Sequence, residues 1–274
     1  MLETCTLALL KEGITEFSIL PFSAVRLQNP ALLERGGAFT VRSVLIYAVP
    51  YYTGAGDNLS AYAVSRDYHL YMRSLSERLT AAITEAFPTA TVRAFSDHSP
   101  IDERHAAAIA GLGVIGDNGL LITQHHGSYV FLGEIFTDIP APEDVFLHTP
   151  GECDHCGACR RACPTGALEG KGECLSELTQ RRGEIAPETV RLMKKHHTVW
   201  GCDLCQSVCP YNVRAVERGL LSPIPFFCEE RIPHLTSAKL AAMDKQTFEE
   251  RAYAWRGRNT IARNLAAYEA EDTP

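Results

Sequence analysis

Seven of the ten cysteines in this 274-residue chain fall into two short runs. The first, Cys153 to Cys163, reads CDHCGACRRACP, a C-x2-C-x2-C-x3-C-P spacing. Three thiolates this close take three irons of a [4Fe–4S] cube, and the cysteine before the proline serves a second cube. The second run, CDLCQSVCP, repeats the pattern incompletely with Cys202, Cys205 and Cys209. A zinc ribbon would need only paired C-x2-C knuckles, and the C-x3-C-P tails would have no use in one. The chemistry implied is one-electron transfer through two cubes.

Two cubes need eight thiolates, one more than the runs supply. In the crossed pattern of two-cluster ferredoxins, Cys153, Cys156 and Cys159 bind one cube with the distant Cys209, and Cys202 and Cys205 bind the other with Cys163. The eighth ligand must be Cys5, Cys174 or Cys228. Cys174, which lies between the runs, is the best placed of the three. The other two fall far outside the segment and read as buried apolar thiols.

Composition narrows the class. No stretch of eighteen apolar residues occurs and no basic-then-apolar leader opens the chain, so a soluble, cytoplasmic protein with no membrane partner is expected. Ten cysteines in such a setting are metal ligands rather than disulfides. The net charge of -7 argues against unaided tight binding of RNA, whose affinity rests on phosphate contacts.

The elements that must position the cysteines alternate between helix and strand. Residues 2–12 read as a helix, 14–20 and 41–49 as strands, and 60–87 as a helix with Leu75, Leu79 and Ile83 on one face. TVRAF (91–95) is a strand, and a helix runs from about Pro100 to Ala110. GLGVIGDNGLL (111–121) carries four glycines. Its spacing is not G-x-G-x-x-G before a helix, so it is no dinucleotide fingerprint. LLIT and SYVFLGEIFTDI then read as a β-hairpin across QHHG, within a mixed sheet. Pro187 opens a helix between the cysteine runs, and a last helix lies near 258–270. The expected organisation is an α/β catalytic domain (1–140), a ferredoxin-like two-cluster domain (141–215) and a C-terminal segment packing on the core (216–274).

The order of motifs is itself informative. RDYH (66–69), DHSPIDERHAAAIAGLGVIGDNGLLI, GSYVFLGEIFTDIP, CDHCGACRRACPTGAL, ECLSELTQRRG, WGCDLCQSVCPYN and WRGRNTIARNLA resemble, in this order and over nearly the whole chain, the epoxyqueuosine reductase family. That resemblance implies an α+β fold, with a nitroreductase-like cobalamin-binding domain joined to a ferredoxin-like double [4Fe–4S] domain. It also implies reduction of the epoxide of epoxyqueuosine in the anticodon loop of tRNA. The cofactors would be two [4Fe–4S] clusters and base-off cobalamin, which agrees with the absence of a D-x-H-x-x-G motif. An external electron donor of the ferredoxin or flavodoxin type would feed the clusters. The family's general acid matches Asp97, its eighth thiolate matches Cys174, and its cobalamin contacts match Arg104, Asn118, Leu121, Leu132 and Thr179. Read without the resemblance, Asp97 is an Asx turn residue ahead of Pro100. Family members continue past the R-N-x-x motif into a helical-repeat domain, whereas here the sequence ends soon after Arg263-Asn264, and Gly-Asp-Asn replaces a lysine-bearing stretch before Asn118. A weakened grip on tRNA is therefore expected. The competing readings are a related reductase of small-molecule epoxides or halides, and a two-cluster electron carrier.

Overall fold

The computed structural model describes residues 2–35, 37 and 39–271. Where the sequence reading sets three successive segments, the chain packs into two compact units built from interleaved pieces. Unit 1 comprises residues 1–51, 71–155 and 214–224, and unit 2 comprises 52–70, 156–213 and 225–274.

Unit 1 is built on a four-stranded sheet. Its strands are β1 (Glu16–Pro21), β2 (Ser43–Pro50), β3 (Val92–Ser96) and β6 (Val130–Thr137), in the order β1-β2-β6-β3, with every neighbour antiparallel. The mixed sheet expected from sequence is therefore not the principal one. All eight residues of β2 are buried because the strand is central and covered on both faces, which is why it reads as an unbroken apolar run. On one face Val44, Ile46, Ala48, Leu132 and Phe136 pack against Ala106–Ala110, around helix α3 (Glu103–Ile109). Alanines there let the helix lie close to the strands. On the other face the Tyr47 hydroxyl meets Ser76 Oγ at 3.3 Å. Ser76 belongs to α2 (Tyr68–Ala86), whose buried stripe of Tyr71, Met72, Leu75, Leu79 and Ile83 follows the helical period. Helix α1 (Leu2–Lys11) adds the buried Cys5 and Leu9.

Helix α2 starts eight residues later than the sequence pattern implies. The Asp67 carboxylate accepts the His69 N–H at 3.0 Å, and this fixes the first turn. The hairpin is also displaced. β4 (Gly113–Ile115) pairs with β5 (Leu121–Thr123), the turn closing through Gly116 N–H to Leu120 O at 2.9 Å. β6 belongs to the other sheet, so LLIT and SYVFLGEIFTDI are not hairpin partners. Gly119 sits at φ 76°, and a Cβ on Gly113 would lie 2.3 Å from Ile122 O, so this turn requires both glycines. β7 (Gly151–Glu152) joins β4 in parallel. The segment 214–224 completes the unit: Ser222 Oγ donates to Pro50 O at 2.7 Å, and Pro223 sits so close to Gly13 that a Cβ there would be 2.6 Å from it.

Unit 2 is helical. Trp200, Tyr253, Phe248, Leu235, Leu240, Met193, Ile261 and Leu265 form its core. Buried polar groups tie its pieces together. Asn264 Nδ2 donates to Thr179 O (2.7 Å) and Val199 O (2.8 Å), and Arg251 donates to Glu230 O (2.8 Å) and Val64 O (2.6 Å). No described helix is long and apolar enough to cross a membrane.

Candidate functional site

Asp97 follows the last residue of β3 and has φ 63°, the left-handed region that non-glycine residues rarely enter. His98 N–H donates to Ser96 O at 2.7 Å, so the turn centred on Asp97 spans only three residues. A γ-turn with positive φ at its centre is a strained arrangement, and such strain concentrates at functional sites. An ordinary Asx turn would not require it. Asp102, five residues on, has the expected structural role: its carboxylate caps α3 by accepting His105 N–H at 3.1 Å.

Asp97 lines a cleft of about 490 Å³ together with Gln28, Asn29, His98, Ser99, Ile101, Asp102, Glu103 and Arg104. That volume is ordinary for a small-ligand pocket. Behind Glu103 lies Glu134, fully buried on β6 with the same inward parity as Leu132 and Phe136. Neither carboxyl oxygen of Glu134 has a conventional hydrogen-bond donor. What faces it is the Glu103 carboxyl, with the Ser99 hydroxyl beside them. Burial pushes Glu134 well above the usual carboxylate range, and the charge of Glu103 adds to this. Burial also pushes Glu103 up to about 7; the negative charge of Asp97 raises it and the Arg104 guanidinium lowers it. Two facing carboxyls in such a site are stable when they share one proton. Sequence reasoning missed this pair. The available signal was an acidic residue at an inward position of an otherwise apolar strand.

Of the other residues singled out from sequence, Arg104 donates to Gly119 O at 2.7 Å and so reaches the β4–β5 turn. Asn118 Oδ1 accepts from Leu120 N–H at 3.3 Å, while its Nδ2 is buried with no partner. Leu121 and Leu132 are buried in the same core cluster as α3. An orphaned donor beside a glycine turn and an arginine fits a polar, anionic or amide-bearing cofactor. Thr179 differs. It is buried in unit 2, where its hydroxyl donates to Ser176 O (2.9 Å) and accepts from Gly201 N–H (3.0 Å). Its hydroxyl is engaged within the fold of unit 2.

All ten cysteines are free thiols, as cluster ligands must be. Cys153 Sγ accepts Asp117 N–H at 3.4 Å; the Asp117 carboxylate in turn pairs with His155 Nδ1 at 2.8 Å. Cys163 is more acidic than an ordinary thiol. Burial alone would raise its pKa, but the backbone of Leu168, Thr165 and Ala167 and the Thr165 hydroxyl outweigh it and hold the pKa below the ordinary value. Cys202 is pushed up to about 11, first by burial and then by the charges of Asp203, Cys174 and Cys163, against a lowering by the Leu204 backbone. Cys163, Cys174 and Cys202 thus lie within electrostatic reach of one another, and bound irons would reverse the sign of that repulsion. The loop carrying Cys202 and Cys205 is pinned by Asp203, which accepts from Ser60 Oγ (2.6 Å), Ala61 N–H (2.6 Å) and Gln206 Nε2 (2.9 Å). Cys5 is buried and pushed up to about 11 by that burial, which suits an inert thiol. Cys228, expected to be buried, is exposed because it ends a short helix at the surface.

Cysteine runs of this spacing, with free thiols met by backbone donors at Cys153 and Cys163, define an iron–sulfur oxidoreductase. The comparisons with known proteins agree. Residues 152–212 match the family of 4Fe-4S double cluster binding domains, and residues 37–98 match that described as epoxyqueuosine reductase QueG, DUF1730. The chain is 37% identical over 226 residues to an epoxyqueuosine reductase of Gloeobacter violaceus, covering 76% of this chain and 69% of that protein. It is 33% identical over 244 residues to the Staphylococcus aureus enzyme, covering 82% of this chain and 62% of the relative. The Aliivibrio fischeri enzyme is 40% identical over 162 residues, which are 57% of this chain and 43% of that one. Among solved structures, epoxyqueuosine reductase from Streptococcus thermophilus superposes with a TM-score of 0.75 at 24% identity, covering 97% of this chain and 80% of the other. An epoxyqueuosine reductase with an epoxyqueuosine-modified tRNA-Tyr stem loop superposes with a TM-score of 0.77 at 23% identity and the same coverage. The chain belongs to the epoxyqueuosine reductase family, and it spans less than two thirds of the length of most of the curated relatives named here.

Proposed function

We propose that this protein is a cobalamin- and iron–sulfur-dependent reductase that removes the epoxide oxygen of epoxyqueuosine in tRNA. The observation that carries this reading is the strained left-handed turn that places Asp97 at the edge of the cleft. Cobalamin, when bound, supplies the strongly reducing cobalt. Arg104, the unpartnered Asn118 Nδ2 and the backbone at Leu121 and Leu132 would hold it. The first cluster takes Cys153, Cys156, Cys159 and Cys209, and the second takes Cys163, Cys174, Cys202 and Cys205, in the crossed pattern. Asp97 protonates the oxygen as the carbon–oxygen bond opens, which is general acid catalysis. An external ferredoxin- or flavodoxin-type donor supplies the electrons, and the reaction takes place in the cytoplasm.

The test is turnover of an epoxyqueuosine-containing anticodon stem-loop to the queuosine product, with reduced flavodoxin or dithionite as the electron source. Product formation supports the reading. No product from cluster- and cobalamin-replete protein refutes the substrate. The net charge of -7 favours a second reading, a small-molecule epoxide or halide. Turnover of such a compound with none of the stem-loop would establish it.

A further inference from the structure

The chain holds a buried acid pair that the reaction as described above does not use. Glu134 is fully buried in the middle of β6, on the face covered by α3, where its neighbours along the strand, Leu132 and Phe136, belong to the apolar core. A lone carboxylate there, with no donor on either oxygen, would carry the full cost of desolvation, several kcal/mol even after the protein relaxes. The group that faces it is another acid. Glu103 stands at the first position of α3 and also lines the cleft that Asp97 lines. One of its own oxygens, Oε2, is buried without a donor as well. A proton between the two carboxyls satisfies one oxygen of each, and the Ser99 hydroxyl can donate to Glu134 as well.

The groups around the pair are few. From the β3–α3 loop come Asp97 and the Ser99 hydroxyl, and from the start of α3 come Asp102 and the Arg104 guanidinium. Tyr47 of β2, on the other face of the sheet with its hydroxyl against Ser76, is within electrostatic reach of Glu134. Asp97 and Glu103 interact electrostatically, so a charge on either disfavours a charge on the other.

We propose that Glu103 and Glu134 share one proton as a buried carboxyl pair, and that this pair is the reserve from which Asp97 is recharged between turnovers. The recharging role rests on the reading of Asp97 as the proton donor; the shared proton does not. The step balances simply. Donation leaves Asp97 as a carboxylate. The proton held between Glu103 and Glu134 passes from the Glu103 oxygen to Asp97, directly or through one water in the cleft they both line. The pair, briefly carrying two charges, takes a proton from solvent by way of the same cleft, and no electrons move. Glu103 and Glu134 act through Asp97 and are positioning residues.

Two measurements test this. Infrared difference spectroscopy on the anaerobic, cofactor-replete protein without substrate should show a protonated-carboxyl carbonyl band that shifts in D2O. It should lose part of its intensity as pH rises through about 7, the value to which Glu103 is pushed, and keep the rest to higher pH. In Glu103→Gln the change near pH 7 should be gone while the band of buried Glu134 remains, and in Glu134→Gln the part of the band kept above pH 7 should be gone. Absence of the band in the wild type, or a pH course that Glu103→Gln leaves unchanged, overturns the shared proton. Should Glu134→Gln fail to fold, Glu103→Gln, at the partly exposed start of a helix, decides alone.

The second measurement is the pH profile of stem-loop turnover. The wild-type kcat should fall as pH rises through the titration of the pair. In Glu103→Gln kcat should be about tenfold lower, less than the ~10² to 10⁴ contributed by the donor itself, with KM little changed and the neutral inflection gone. A profile lowered throughout but keeping the wild-type inflection would make the pair a packing feature and overturn the relay. Full turnover in Asp97→Asn with the band intact would overturn the donor reading, and the relay with it, while leaving the shared proton standing.

Discussion

Replacing Glu134 with glutamine should stabilise the protein above neutral pH, although it alters a fully buried side chain. The sign follows from the direction of the shifts. Burial raises both Glu103 and Glu134 above their ordinary value of 4.5; a hydrogen bond with Glu134 partly offsets the rise of Glu103, which reaches about 7, and the charge of Glu103 adds to that of Glu134. The folded chain therefore holds protons that the unfolded chain has released. The pair has no unfavourable effect at pH 4, and stability declines as pH rises from about 4.5 through 7. For Glu103 a rise from 4.5 to about 7 corresponds to about 3 kcal/mol at 1.36 kcal/mol per unit, which solvent at its partly exposed side chain trims to about 2, and the fully buried Glu134 costs no less. Glutamine fills the same space, donates an N–H to Glu103 and removes the second charge. Melting temperatures of wild type and Glu134→Gln, measured anaerobically from pH 5.5 to 8.5, should diverge as pH rises. The variant should gain on the order of 5 °C at the alkaline end, since a kcal/mol shifts a domain of this size by about 2 to 4 °C. Parallel curves would show that the two carboxyls do not titrate as a pair and would refute the reasoning.

Asp97→Asn should retain both clusters and the cofactor but lose ~10² to 10⁴ in turnover, whereas Asp102→Asn, which preserves a helix cap, should cost no more than about 1 kcal/mol of stability and leave turnover near wild type. Equal activities in the two variants would remove Asp97 from the chemistry. Iron analysis should find about eight irons per chain, with Cys174→Ala losing most of one cluster while Cys5→Ala and Cys228→Ala keep both. Loss in Cys228→Ala instead would reassign the eighth ligand. Asp203→Ala strands the Ala61 N–H and the Gln206 amide and should cost about 2 to 4 kcal/mol, with loss of the cluster held by Cys202 and Cys205; retention of full iron would show that the loop does not depend on this carboxylate. Binding of unmodified tRNA should be weak with a small salt slope, because a chain of net charge -7 neutralises few phosphates; submicromolar binding at physiological salt would refute this.

The parts of the fold legible in the sequence are those governed by local pattern. β2 was visible because a strand covered on both faces has no polar residues to interrupt it. The cysteine runs were visible because ligand spacing is short-range. The hairpin was misplaced for an instructive reason. GDNG at 116–119 is a strong reversal signal, yet its glycines were weighed only against a dinucleotide fingerprint, and the longer apolar run of β6 drew the pairing away from β4. β6 is held instead by β2 and β3, contacts distant in sequence that no periodicity reports. At the site, Asp97 could be placed but its left-handed backbone could not, because aspartate is common in ordinary turns. The Glu103–Glu134 pairing was hidden for the same reason as the sheet order: the partners lie 31 residues apart and meet only once α3 covers β6.

The interleaving of unit 1 bears on how the chain leaves the ribosome. Its sheet and its helices α1–α3 are complete once residue 155 has been made, but the segment 214–224, which bonds Pro50 through Ser222 and lies against Gly13, is not yet there. At roughly 5 to 20 residues per second, the roughly 70 residues still to come take on the order of 3 to 14 s. During that interval the end of β2 and the turn after α1 remain uncapped. The same delay covers synthesis of every cluster cysteine after Cys153. A nascent chain held at this stage would offer an open sheet corner to chaperones before it offered a finished site to iron.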